Sequence, residues 1–303
     1  MIIVAAADLH LSPDTLDQPA RLQERASALA ADVLIIAGDL TTGGLPQYAK
    51  ALQALSVFTG PKLFVPGNHD LWQKPEGRDT WRRYEVELPE VVTAAGFHYL
   101  DHAPFIHQGY GFVGAMGWYD YSTRQLEPPD ADLKLSPATL TSPGSAFRTS
   151  PKRRNLKWEE LLPEDYRTKA LQCQDDNVLQ GLVWNDGFYI DWKRPDEEMV
   201  QYFCDKLRQQ AAQVAPEVDH LVAVTHFVPF PQILPIAKTV TGAYTRAFAG
   251  SAALGETIQS LPKIEAALFG HWHSPGLYDI NGLLAVNVTI NHGKEPPARV
   301  ELP

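Results

Sequence analysis

Apolar residues in the first third of the chain come in short runs, separated by stretches with helical spacing. Ile2-Ile3-Val4-Ala5 predicts a strand, and the segment from about Asp17 to Ala30 spaces its apolar positions as a helix does. Val33-Leu34-Ile35-Ile36-Ala37 is a second buried run, the stretch from about Pro46 to Leu55 a second helix, and Leu63-Phe64-Val65 a third strand. Further strands are expected near Phe112-Val113-Gly114, at Leu221 to Val224, at Ala266 to Phe269 and at Leu283 to Val288, with a helix from Pro195 to about Val214. The alternation predicts an α/β fold. In open α/β sheets, ligand-binding groups collect beyond the carboxyl ends of the strands, so the residues just after each run carry the chemical interest.

Between Tyr119 and Pro195 the pattern changes. Pro128-Pro129, scattered Ser, Thr and Pro, and the basic run Lys152-Arg153-Arg154 replace clean periodicity. The segment reads as an insertion or cap at about 119–195 within a single domain spanning 1–303. Trp158, Trp184, Phe188, Tyr189 and Trp192 supply enough aromatic area to pack its second half. No internal repeat is visible.

Composition narrows the class. Hydrophobic residues at 45% and charged residues at 20% are ordinary values for a folded globular chain. A formal charge of -10 disfavours broad, non-specific binding to nucleic acid or to an anionic membrane. No apolar run approaches the roughly 18 residues that span a bilayer. Met1 to Ala7 lacks a basic leading region and runs straight into Asp8, so it is expected to be a strand and the address cytoplasmic. Cys173 and Cys204 lack the spacing of a thiolate metal site.

Five of the ten histidines, His10, His69, His226, His271 and His273, fall within a few residues after an expected strand end, together with Asp8, Asp39 and Asn68. Carboxylate, amide and imidazole donors without thiolate suit Mn, Fe, Zn or Co in five- or six-coordinate sites. Asp8 and His10, like His271 and His273, are two residues apart, and the period of a strand would point each pair to one side. Gly38 permits a sharp turn before Asp39, whose carboxylate could bridge two ions. So many donors exceed the needs of one ion, and two ions about 3.5–4 Å apart account for them. His98, His102, His107, His220 and His292 match no such block and are expected to be structural. Trp72, Trp118, Tyr119 and Tyr121 are expected first as packed aromatics, with Trp72 lining the substrate site and the other three stacking on a base or aryl group as the alternative.

The ordered blocks are Asp8-Leu9-His10, Gly38-Asp39, Gly67-Asn68-His69-Asp70, Thr225-His226 and Gly270-His271-Trp272-His273. In this order they resemble the calcineurin-like metallophosphoesterase superfamily. The resemblance implies a four-layer α/β/β/α sandwich of two mixed β-sheets flanked by helices. It implies that Asp8, His10 and His273 bind one ion and Asn68, His226 and His271 another, with Asp39 bridging. His69 would contact the substrate phosphate and protonate the leaving oxygen, oriented by Asp70. The implied reaction is hydrolysis of a phosphate ester by a metal-bridging hydroxide, with two divalent or trivalent transition-metal ions, Mn and/or Fe, and Zn also compatible. A phosphodiesterase acting on a nucleotide-like small molecule is the leading expectation. A nuclease, a phosphomonoesterase or protein phosphatase, and a non-catalytic scaffold are the alternatives. Thr42 stands where some branches, including the double-strand-break repair nucleases, carry an aspartate, which makes nucleic acid a less favoured partner. No sequence pattern indicates an oligomeric state.

Overall fold

The computed structural model describes residues 1–11, 18–41, 44–55, 58–125, 147–148, 183–238 and 240–303. Cys173, the Lys152 to Arg154 run, Trp158, Thr42 and most of the expected 119–195 insertion lie outside the described residues.

The apolar runs form the strands expected of them. β1 (Ile2–Ala6), β2 (Val33–Ala37), β3 (Lys62–Val65) and β4 (His98–Tyr99) lie parallel, and β13 (Ala298–Glu301) adds an antiparallel edge beside β1. In the second sheet β6 (Tyr110–Ala115), β9 (His220–Thr225), β10 (Ile264–Phe269) and β12 (Leu283–Asn287) run parallel. Its antiparallel edges are β5 (Phe105–His107) and β11 (Gly276–Ile280). A small antiparallel pair joins β7 (Phe147–Arg148) to β8 (Val183–Trp184).

The strands are apolar on both faces because both are covered. Ile3, Ala5, Val33, Ile35, Leu63 and Val65 face one way, onto Phe112, Val222, Val224, Ala266 and Leu268 of the other sheet. Their neighbours Val4, Leu34, Ile36 and Phe64 face outward under the helices Gln18–Ala28, Leu45–Ala54 and Leu88–Ala94. Val113, Leu221 and Ala223 do the same under Asp196–Val214 and Ala252–Ser260. The result is helices, sheet, sheet and helices, in four layers. No described helix is long and apolar enough to cross a membrane.

The sheets meet at their carboxyl ends. Ala7 pairs in parallel with Thr289: its N–H donates to the Val288 carbonyl (3.0 Å) and its carbonyl accepts from Ile290 (3.0 Å). This seam brings the loops after β1, β2, β3, β9, β10 and β12 to one rim. Trp118, Tyr119 and Tyr121 are buried in the core below it, as expected of packed aromatics. At the far end of the expected insertion Trp184, Ile190 and Trp192 are also buried.

Candidate metal centre

Each predicted site residue sits on the rim, but not by the alternation expected. β1 ends at Ala6, and Asp8 and His10 follow it in left-handed backbone (φ 57° and 44°), as do Asp39 after β2 (54°) and His271 after β10 (67°). For residues with a Cβ that conformation is costly, and it persists only where the surroundings over-determine it. The side chains converge because tight turns aim them, not because a strand alternates. His271 and His273 accordingly diverge: His271 Nδ1 approaches His226 Nε2 (3.2 Å), while His273 Nε2 approaches His10 Nε2 (3.2 Å) and Asp8 Oδ1 (3.4 Å).

Two groups of donors result, with Asp39 between them. Asp39 Oδ2 lies 3.4 Å from His226 Nε2 and 3.6 Å from His10 Nε2. Asn68 Oδ1 is 3.1 Å from His226 Nε2. The ring nitrogens on the far side are tied back. His226 Nδ1–H donates to the Ala37 carbonyl (2.9 Å) and His271 Nε2–H to the Phe248 carbonyl (3.1 Å), so the opposite nitrogen of each ring faces the group. Such back-bonding fixes the tautomer that a metal requires. Gly67 leaves room for this, since a Cβ there would lie 2.2 Å from Asp39 Oδ1.

The electrostatics ask for a cation. Burial opposes ionisation of Asp8 and Asp39, yet neighbouring histidines hold both carboxyls below the usual range, His273 for Asp8 and His226 first for Asp39. Burial likewise opposes charge on His226, but Asp39 overcomes it and raises that imidazole to about 9. Burial pushes His10 down to about 4 and, with the charge on His226, His271 down to about 3, leaving both neutral as metal ligands must be. Asp8 Oδ1 and His10 Nδ1 are buried with no hydrogen-bond partner, an arrangement that costs free energy unless a further group satisfies it. Among the described residues, His10 with Asp39 and His69, His10 with His273 and His292, and Asp39 with His226 and His271 form sets close enough to hold a metal ion. The residues present fit a binuclear centre.

The family model for calcineurin-like phosphoesterases matches residues 1–275. The chain belongs to that family. It is therefore a metal-dependent phosphoester hydrolase, of a family built on a binuclear metal centre. Among solved structures, this phosphoesterase is similar to phosphopantetheinyl hydrolase from Mycobacterium tuberculosis, with a TM-score of 0.62 at 16% identity over 99% of this chain and 96% of that one. It is also similar to TT1561 of Thermus thermophilus, with a TM-score of 0.52 at 12% identity over 99% and 98%. At these identities the likeness is one of fold. No curated protein matches the phosphoesterase by sequence.

Asp70 does not do what the sequence suggested. Its carboxylate accepts the N–H groups of Asp39 (2.9 Å), Leu40 (3.0 Å) and Gly67 (2.8 Å), tying the β2 and β3 loops together, and the carboxylate that the His69 ring approaches is Asp39 (3.9 Å). Burial, reinforced by the charge on Asp39, raises it to about 7. The His69 ring is held instead by stacking: Trp72 lies on it at 3.6 Å between centroids, and His10 meets it edge-on at 4.5 Å.

Trp72, expected first as a packed aromatic and otherwise as a lining residue of the substrate site, lines the cavity at the candidate metal centre. That cavity, of about 370 Å³, opens from His10, Asp39, Asn68, His69, His271 and His273 onto Trp72, Trp184 and Trp272. No lysine or arginine is among its described lining. Behind the wall lies a residue that sequence reasoning missed. Asp186 accepts from Asn68 Nδ2, Trp72 Nε1 and Trp184 Nε1, each at 2.8 Å. It thereby presents the Asn68 oxygen to His226 and fixes two indoles at once. The tryptophans around it were the available signal, since a buried indole N–H needs an acceptor. His98 and His102 lie elsewhere, on Ala103 O (2.7 Å) and Glu85 (3.0 Å), and His220 pairs with Glu265 (3.0 Å). His292 does not: its ring stacks on His10 at 4.7 Å.

Proposed function

We propose that this phosphoesterase cleaves a small phosphodiester carrying a flat, nucleotide-like aromatic group. The cavity carries the reading. Of its three tryptophans, Trp72 is stacked between His69 and Tyr189 and Trp184 lies on Phe248, so the partly exposed Trp272 is the indole that a planar ring would meet. The described lining contributes no lysine or arginine, so among the described residues the phosphate is neutralised at the metal centre. A singly charged diester suits that environment. A nucleic-acid strand would bring flanking phosphates that want lysine or arginine beside them.

In this reading Asp8, His10 and His273 hold one ion, Asn68, His226 and His271 the other, and Asp39 lies between. When bound, two such ions activate water near neutral pH and neutralise charge developing on the phosphoryl oxygens. The protein residues do the rest. Asp70 and Asp186 hold the loops and the Asn68 amide so that the donors converge without reorganisation. Burial keeps His69 well below the ordinary imidazole range, so its ring is neutral and has one N–H to give to a phosphoryl or leaving oxygen.

His69→Ala should keep its metal and lose kcat by about 100- to 1,000-fold, the usual cost of deleting one donor to a developing oxyanion. Elemental analysis beside steady-state kinetics checks it; a parallel loss of metal would make His69 a ligand instead. The reading itself is tested with bis-p-nitrophenyl phosphate and p-nitrophenyl phosphate, with and without added Mn²⁺, followed by nucleoside against glycerol diesters. Faster turnover of diesters, and of the nucleoside diester above all, is expected. Cleavage of monoesters alone would replace this reading with a phosphatase.

A further inference from the structure

We infer that His292 is an additional protein ligand of the metal centre, serving the ion held by Asp8, His10 and His273. This rests on the two-ion reading above and extends it to a residue beyond the span that matches the family model.

Three imidazoles meet at this corner. The His292 ring stacks on His10 with 28° between planes and meets His273 edge-on, 5.6 Å between centroids. One ring nitrogen from each of the three lies within 4.8 Å of the others. Nitrogen ligands about 2.1 Å from an ion stand at most about 4.2 Å apart, so a small turn of the exposed His292 ring completes the set.

The backbone shows that this placement is maintained at a cost. Asn291, His292 and Gly293 are all left-handed, with φ of 45°, 57° and 75°. The turn is pinned to the segment that carries the first ligand: His292 N–H donates to the Asp8 carbonyl (3.1 Å), just beyond the bond from the Ile290 N–H to the Ala7 carbonyl. Left-handed backbone also occurs at turn residues away from the site, such as Gln108 and Lys193; what sets His292 apart is that its turn is fastened to Asp8 and its ring lies on His10. The same backbone signature marks Asp8, His10, Asp39 and His271.

The chemical consequence is an asymmetric pair of sites. With His292, one ion meets three imidazoles and the other two imidazoles and an amide. Nitrogen donors suit Fe and Zn, whereas Mn prefers oxygen, so the first site discriminates toward Fe or Zn.

The test strips the full-length protein with a chelator and titrates it with Mn²⁺ and with Co²⁺, reading bound metal by elemental analysis and the Co²⁺ environment by visible absorption. Wild type should bind two ions. His292→Ala should bind one ion unchanged and the other about 10- to 100-fold more weakly, the scale on which supporting partners of a metal act, with an altered Co²⁺ spectrum. His292→Asp, which keeps a donor atom and tolerates left-handed backbone, should recover part of that loss, and this rescue separates ligation from misfolding. Wild-type affinity and spectrum in His292→Ala, alongside loss of an ion in His10→Ala, would overturn the role of His292 alone. Retention of both ions in His10→Ala as well would overturn the ligand assignment on which the inference rests.

Discussion

Asp39→Asn should bind less metal and lose turnover together, by roughly 100-fold or more, since even supporting partners of a metal act on that scale. Asp39 is the one carboxylate common to both donor groups, with Oδ2 3.4 Å from His226 and 3.6 Å from His10. Its other oxygen accepts the His69 N–H at 2.9 Å. The amide keeps the size of the side chain and removes the charge, so loss of the backbone contact does not explain the effect. Without that charge the burial of His226 is offset less, by Asp8 and the Ala37 carbonyl, and its pKa should fall from about 9. Elemental analysis and bis-p-nitrophenyl phosphate hydrolysis on the same preparation check the result. Full metal content with normal turnover would remove Asp39 from its bridging place.

Asp186→Ala should be the most damaging change outside the donor set. It strands three donors at once: the Asn68 amide and the indole N–H groups of Trp72 and Trp184. An unsatisfied buried donor costs about 1–3 kcal/mol, so thermal stability should fall by several degrees. The specific consequence lies in the metal. Freed from Asp186, the Asn68 amide can rotate its nitrogen toward His226, and affinity at one of the two sites should drop about 10- to 100-fold while the other is unchanged. Asp186→Asn keeps an acceptor for one indole and should fall between. A stability loss with both metal affinities intact would leave Asp186 a packing residue only.

Much of this could be read along the chain. β2 and β12 were legible as unbroken apolar runs because both faces of each sheet are covered, and the helix Asp196–Val214 because its periodicity is long. The edge strands were not: β11 reads Gly-Leu-Tyr-Asp-Ile and β13 Ala-Arg-Val-Glu, short and half exposed, so neither a continuous run nor a clean alternation marks them. The site divides in the same way. Residues inside the ordered blocks were visible because each block follows a strand. Asp186 and His292 belong to no block, and only the packing of distant segments brings them to Asn68 and His10. His292 did follow an apolar run, three residues beyond Thr289, as the other histidines follow theirs. The period-two argument failed for Asp8 and His10 because their strand had already ended, and the Asp70 argument failed because three backbone amides claim its carboxylate.

The seam between Ala7 and Thr289 bears on how the ions come and go. Asp8 and His273, 3.4 Å apart, are separated by most of the chain, and closing so long a loop carries a large entropic cost. In a small zinc-stabilised domain the metal itself meets that cost, and its departure unfolds the chain. Here two covered sheets and the seam meet it before any ion arrives. The loop is closed by the fold rather than by a metal, so exchange of one ion for another would not require the chain to unfold.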